Sequence, residues 1–324
     1  MTNDGLPGLE LYGLDDDPPR EAVADALRRA DPDGRRAAAV FRATFDQLYD
    51  GQHTGRFRWD QLFKTEKTHY GTLLEINLRR EFDGVIDDGE RLDFQILGVE
   101  IDCKYSQSMG GWMLPPECFG ELLLVAYAND SASTWSLGVV RASVQNLRSS
   151  RNRDGKTSLN PRGRSQIAWL HLGASLPPNV LLSLDEATLA AILRPRSGQA
   201  RVNELLRRVT LRRIGRNTIA TLAQQDDYMA RIRDNGHGAR TILRDEGFII
   251  PGGDYQVHRD VAAQLGVTPP QPGEVVSIPV VPADPGEPHT VVLENRNWRV
   301  ARNGERMSEA APRLPDTRKR RSMG

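Results

Sequence analysis

The chain has 324 residues, with Lys+Arg and Asp+Glu balanced at 43 each, 39% hydrophobic residues and only two cysteines. Such a composition excludes a disordered chain, and two thiols, Cys103 and Cys118, are too few for a structural zinc site or a disulfide framework. No run approaches the roughly 20 apolar residues that span a bilayer, and the acidic N-terminus is unlike a signal peptide, so no membrane association and a cytoplasmic location are expected.

The length predicts two domains of roughly 150 residues each. Residues 1–20 read as a flexible acidic leader. A helix is expected from Glu21 to Ala30, stopped by Asp31-Pro32-Asp33-Gly34, and a second from Arg35 to Tyr49, stopped by Asp50-Gly51. Between Thr65 and Phe82, Tyr70, Leu74, Leu78 and Phe82 recur every fourth residue, which predicts a longer helix with Glu75 on the border of its apolar stripe. Two short alternating runs around Leu97-Gly98 predict a hairpin over Asp93–Ser106, and strands follow at Glu121–Ala128 and Trp135–Arg141. RNRDGKTSLNP at Arg151–Pro161 is polar and turn-forming, and softer zones lie at Leu176-Pro177-Pro178 and Pro195–Gly198. A boundary within this stretch gives a first domain of 21–172 and a second of 173–312, followed by a basic tail, 313–324.

In the second half, Val202, Leu205, Leu206 and Val209 predict an amphipathic helix over Ala200–Arg213. A helix over Gln224–Asn235, a Gly236–Gly238 turn, a helix over Ala239–Glu246 and an apolar strand are the order of a winged helix-turn-helix of the CAP-like kind, with added strands over 276–301. Arg240, Thr241 and Arg244 would then face bases in a major groove. Arg212, Arg213 and Arg216 belong to an arginine-rich stretch, Arg194–Arg244, whose acids are Glu204, Asp226, Asp227 and Asp234; it suits phosphate contact, and equally a solvated helix face.

Alternation along the hairpin sends Glu100, Asp102 and Lys104 to one side and Val99, Ile101 and Cys103 to the other. Two acids and a lysine at this spacing, Asp93, Asp102 and Lys104, follow the nuclease pattern PD-(D/E)xK, and the fold class expected is α/β (α+β). Carboxylates of this kind suit Mg²⁺, a hard cation that keeps several waters, while the lysine would meet a scissile phosphate; Glu75 would add a further acid. The competing reading is an exposed hairpin with a solvated Asp102–Lys104 pair. No Walker A string and no histidine pair at metal-ligand spacing occur.

Four blocks carry a resemblance: FDQLYDGQHTGRFRWDQLFKTEKTHYGTLLEINLRREF, GVEIDCKYSQSMGGWMLPPE, GQARVNELLRRVTLRRIGR and ATLAQQDDYMARIRDNGHGARTILRDEGFII. In this order they resemble the NaeI family of type II restriction endonucleases from about Asp31 to Ala301. The resemblance implies a Mg²⁺-dependent homodimer with an N-terminal endonuclease domain and a C-terminal winged-helix domain. It also implies blunt cleavage of the palindrome GCCGGC and activation by a second DNA site; a cognate methyltransferase acting on the same site is a candidate partner that the sequence leaves open. By motif, Glu75, Asp93, Asp102 and Lys104 are the catalytic residues, with Asp93, Asp102 and Glu75 as metal ligands. Leu48-Tyr49-Asp50-Gly51 is similar to the KxDG element of DNA ligases with leucine in place of lysine; Leu48 has no amine to adenylate, which excludes ligation by that route, and the same residues read equally as a helix end closed by Gly51. The alternative function is a winged-helix transcriptional regulator whose N-terminal domain is not catalytic.

Overall fold

The computed structural model describes residues 16–305 and 309–315. Most of the expected leader and tail lie outside the described residues. The chain divides into two compact units, the first built from residues up to Leu48 and Arg58–Pro178, the second from Tyr49–Phe57 and Asn179 onward. The excursion of Tyr49–Phe57 into the second unit has no counterpart in the expected domain ranges.

In the first unit, helix α1 (Pro18–Ala30) begins ahead of the expected Glu21, because Asp17 caps it by accepting from the Arg20 N–H at 3.2 Å and proline is tolerated in the first turn. Helix α2 (Arg35–Tyr49) is fixed by buried Asp31, which accepts from the N–H groups of Arg36 and Ala37 at 3.1 and 2.8 Å. The short helix α3 (Gly51–Thr54) belongs to the second unit. Helix α4 (Lys64–Glu81) starts where Glu66 accepts from the Phe63 N–H at 2.8 Å, and it buries Tyr70, Leu74 and Leu78 completely. Each such side chain contributes about 1.5–3 kcal/mol, so the fourfold apolar spacing fixes which side of α4 turns inward. Strands β1 (Asp87–Asp88), β2 (Phe94–Ile96), β3 (Val99–Ser106), β4 (Leu122–Asn129), β5 (Thr134–Arg141) and, after helix α5 (Pro161–Ser165), β6 (Ala168–Ser175) form one six-stranded sheet in sequential order. Only β3 and β4 are parallel; the other neighbours are antiparallel. Helix α4 packs on β3, and α1 on β5 and β6.

The β2–β3 turn forms at Leu97-Gly98, both at positive φ (52° and 76°), between the paired residues Ile96 and Val99. This is the pattern of a type I′ turn, whose twist matches that of the strands it joins. The polar stretch 151–161 lies within the first unit, held by pairings of Leu147 with Leu159 and Leu114 with Thr157, and the chain passes to the second unit between Pro178 and Asn179, at the end of the softer zone Leu176-Pro177-Pro178.

The second unit contains helices α6 (Glu186–Leu193) and α7 (Gly198–Arg208), strand β7 (Arg213–Gly215), helices α8 (Arg216–Ala223) and α9 (Ala239–Arg244), strand β8 (Phe248–Ile249), helix α10 (Gln256–Gln264), and strands β9 (Glu274–Val276), β10 (Ile278–Pro282), β11 (Val291–Leu293) and β12 (Arg296–Val300). Strand β7 pairs with β9, and an antiparallel sheet runs β11-β12-β10-β8. Two expectations are corrected here. The helix expected over 200–213 stops at Arg208, because Leu211 takes φ 60° and its N–H bonds to the Ser277 carbonyl, turning Arg213 into strand β7. Residues 224–235 are not a helix either: left-handed Gln224 ends α8, and a single 3₁₀ turn, Tyr228–Arg231, follows. The helix preceding the glycine turn is therefore α8, which buries Ile219, Leu222 and Ala223. Helix α3 lies against α8, where a Cβ on Gly51 would sit 2.1 Å from Thr221 Oγ1. Among the described residues no helix is long and apolar enough to cross a membrane.

A leucine in the left-handed region costs about 1 kcal/mol, and Leu97 is 63% exposed, so its side chain returns little. The substitution Leu97→Asn should raise unfolding stability by about 0.5–1 kcal/mol in urea titrations. A destabilised variant would contradict the turn described here.

Candidate active site

The register of the β2–β3 hairpin builds the site. Phe94 faces Ile101, and one step further along the same register Asp93 stands opposite Asp102. Asp93 Oδ2 accepts the Cys103 N–H at 2.7 Å, which extends the ladder and aims the carboxylate at its neighbour. Asp102 is almost wholly buried at 4% exposure. Lys104 lies two residues along the strand on the same side, with Nζ 2.5 Å from Asp102 Oδ2 and 3.9 Å from Asp93 Oδ2. The closer contact is a charge-assisted pairing of the buried carboxylate with the ammonium.

The electrostatics follow from this crowding. Burial pushes Asp102 up to about 6; Lys104 opposes the shift, and Asp93, close enough to compete for the same proton, adds to it. Burial pulls the Lys104 ammonium down, but the Asp102 and Asp93 carboxylates outweigh it and hold it above its ordinary value. Glu75, part-buried on α4, is raised by burial and then by the charge of Asp93, with Arg79 and Lys104 opposing. The four residues singled out in the sequence thus share one electrostatic environment. Among the described residues no three acids, histidines or cysteines are gathered as a ready-made cation cage. What is present is a pair of adjacent carboxylates faced by the Lys104 ammonium, with a third acid behind them.

Glu100 is a positioning residue that the sequence reading passed over, though the alternation had put it on the same side as Asp102. Its carboxylate accepts the N–H groups of Glu90, Arg91 and Leu92 at 2.9, 3.1 and 2.8 Å, and these bonds hold it below the usual carboxylate range. The loop leading to Asp93 is thereby tied to β3.

The residues expected to meet DNA in the second unit are less uniform. Arg212 and Arg213 are exposed, with Arg212 donating to Ser183 Oγ at 2.6 Å and Arg213 3.6 Å from Glu274. Arg216 lies 3.8 Å from Asp254, and Arg244 3.7 Å from Asp245. Thr241 Oγ1 donates to Asp234 at 2.7 Å and accepts from the Gly236 N–H, so it holds the glycine turn. Arg240 donates Nε to the Ile250 carbonyl at 2.9 Å; burial holds its guanidinium below its ordinary value, and beside it buried His258 is driven down to about 4. Leu48 is buried at the end of α2, Asp50 takes φ 47° and pairs with His53 at 2.6 Å, and Gly51 makes room for α8.

Comparison with known proteins agrees in direction. Residues 21–309 match the family described as restriction endonuclease NaeI. The chain is 48% identical over 315 residues, 93% of its length and 96% of the relative's, to the type II restriction enzyme NaeI of Lentzea aerocolonigenes.

The raised Asp102 makes a signed prediction. Its folded pKa of about 6 exceeds the ordinary 3.8, so the folded state holds the extra proton between these values and stability falls as pH rises through that window. The variant Asp102→Asn should therefore unfold at higher temperature than the parent at pH 8, by the equivalent of about 1–3 kcal/mol, and match it near pH 4. A variant less stable at pH 8 would show that the Lys104 pairing outweighs burial.

Proposed function

The chain belongs to the NaeI family of restriction endonucleases and is an enzyme that cuts DNA at specific sites; from that premise we propose that it is a Mg²⁺-dependent homodimer cleaving palindromic DNA with Glu75, Asp93, Asp102 and Lys104. The observation that carries this reading is the juxtaposition of Asp93 and Asp102 across the hairpin with Lys104 between them. Family membership removes the alternative of a non-catalytic regulator. The sheet, with acids on the antiparallel pair β2–β3 and a parallel neighbour β4, supports a PD-(D/E)xK core.

The residues fit a divalent cation. Mg²⁺ is held by one or two carboxylates together with substrate phosphate, and Asp93 and Asp102, facing each other across the hairpin, supply that pair. When bound, the ion would supply positive charge for the phosphoryl oxygens and acidify water. The chain's own residues do the rest. Asp93 is oriented by the Cys103 N–H and Asp102 is kept in place by burial. The Lys104 ammonium, held above its ordinary value by the two carboxylates that face it, is set to receive the scissile phosphate or to orient the attacking water. Glu75, raised towards neutrality, can exchange a proton at its carboxylate.

In the second unit the order α7, β7, α8, α9, β8, α10, β9, with β7 paired to β9, supports a winged helix with a helix inserted before its last strand. We assign it the effector DNA, with Arg212, Arg213 and Arg216 contacting phosphate and Thr241 and Arg244 near the bases; Arg240 serves there through its bond to Ile250. A symmetric dimer on a palindrome gives each subunit one strand to cut. The proposed site is GCCGGC, cut bluntly, with a cognate methyltransferase protecting the same sequence in the cytoplasm of the host.

With an unmethylated plasmid and Mg²⁺, discrete fragments are expected, and Lys104→Ala should lower the single-turnover rate on the order of 10²–10⁴-fold while duplex binding persists. Smeared products, or full activity in the variant, would sink the assignment. Plasmids with two sites should be cut about 5–150-fold faster than those with one, and an added site-bearing oligonucleotide should restore the slower rate. Equal rates would remove the effector role.

A further inference from the structure

The fate of each arginine separates two basic regions. In the second unit much of the charge is spent internally: Arg207 pairs with Glu204 and Glu246 at 2.7 and 2.6 Å, Arg208 with Glu204 at 2.9 Å, and Arg233 with Asp227 at 3.5 Å. In the first unit, the stretch between Leu147 and Leu159 exposes Arg148, Arg151, Arg153 and Lys156 beside a single acid, Asp154. Arg148, Arg153 and Lys156 have no carboxylate partner among the described residues, and Arg151 rests over the Phe119 ring at 5.0 Å.

This stretch is a built hairpin and not a loose loop. Leu114 and Thr157 exchange backbone bonds of 2.8 and 2.9 Å, and the buried Thr157 hydroxyl lies 2.9 Å from the carbonyls of both Arg148 and Ser150. At the tip, Asn152 Oδ1 accepts the N–H groups of Asp154 and Lys156 at 3.0 and 2.8 Å, and Gly155 at φ 74° closes the turn. Like charges gathered on this frame repel one another, and among the described residues no carboxylate pairs with Arg148, Arg153 or Lys156.

Register places the hairpin relative to the acids. Across the parallel pair, Asp102 stands beside Leu123 and Lys104 beside Val125, and neighbours in register project from the same side of a sheet. Leu123 and Val125 pack with Trp112, Leu114, Cys118 and Leu159 in one cluster. The base of the hairpin therefore sits on the side of the sheet from which Asp102 and Lys104 project. Phe119, beneath Arg151, directly follows Cys118, whose thiol is close enough to feel the charges of both.

We propose that the hairpin 147–159 is a phosphate clamp, in which Arg148, Arg153 and Lys156, with Arg151 braced on Phe119, hold the backbone of duplex DNA beside the Asp93–Asp102–Lys104 site. The clamp rests on the cleavage reading given above. It supplies sequence-independent affinity to the cutting unit, whose charge comes from cations that the fold leaves unneutralised.

The test is a salt titration of a fluorescently labelled duplex, with Ca²⁺ in place of Mg²⁺, on the full chain and on Arg148→Gln/Arg153→Gln/Lys156→Gln. All three side chains are exposed, so the fold should be retained, and matched thermal unfolding checks this. Each lost phosphate contact flattens the dependence of log affinity on log salt by ~0.9, so the slope should fall by about 2–3 and Kd should rise on the order of 10–100-fold. KM should rise with it while the single-turnover rate at saturating DNA stays within a few-fold. A second variant, Arg148→Lys/Arg153→Lys, keeps the point charges and should keep the parental slope. An unchanged slope in the glutamine variant, with the parent still cutting DNA, overturns the clamp alone. A parent that neither binds nor cuts duplex overturns the cleavage reading and the clamp with it.

Discussion

The constraint on which the first unit depends is the placing of two carboxylates opposite each other, one of them, Asp102, almost wholly buried and the other, Asp93, part-exposed. Asp93 and Asp102 come together because a two-residue turn at Leu97-Gly98 fixes the register, and no other register would align them. Left alone, such a pair would neutralise by taking up a proton, and the raised Asp102 shows the strain. Lys104 relieves part of it at 2.5 Å. The rest is held by structure: Glu100 anchors the loop before Asp93, the Cys103 N–H orients Asp93, and α4 brings Glu75 up behind them.

The same constraint explains the topology around the site. Because β3 and β4 run parallel, the chain leaving Lys104 must cross from one end of the strand back to the other. That connection is pinned by Trp112, which donates to the Ala126 carbonyl at 2.8 Å, and by the Leu114 pairing with Thr157. A polar loop between strands is thereby converted into a braced projection on the side of the sheet from which Asp102 and Lys104 project.

In the second unit, arginine serves two purposes. Arg207 and Arg208 clasp Glu204, and Arg240 ties α9 to the strand that follows it, so these guanidinium groups are structural. Arg212, Arg213 and Arg216, near the ends of β7, remain exposed despite their distant acidic neighbours. A count of charges along the chain does not separate the two groups, since Glu246, Asp254 and Glu274, which pair with arginines of the stretch, lie outside it.

Local rules made much of this legible in the sequence. The fourfold spacing of Tyr70, Leu74 and Leu78 determined α4, the Leu97-Gly98 turn with its flanking alternation determined β2 and β3, and the eight residues between Asp93 and Asp102 are the separation that a two-residue turn needs to set them face to face. These signals are short-range, and the backbone obeys them whatever lies around it. Tertiary structure alone decided the rest. The burial of Asp102, the collar formed by Glu100, the passage of Tyr49–Phe57 into the second unit, the end of α7 at Arg208 and the shift of a helix from 224–235 to α8 all depend on partners far away in the chain. So does the difference between a spent arginine and a free one, because an ion pair is a property of the distance between two groups and not of their order in the sequence.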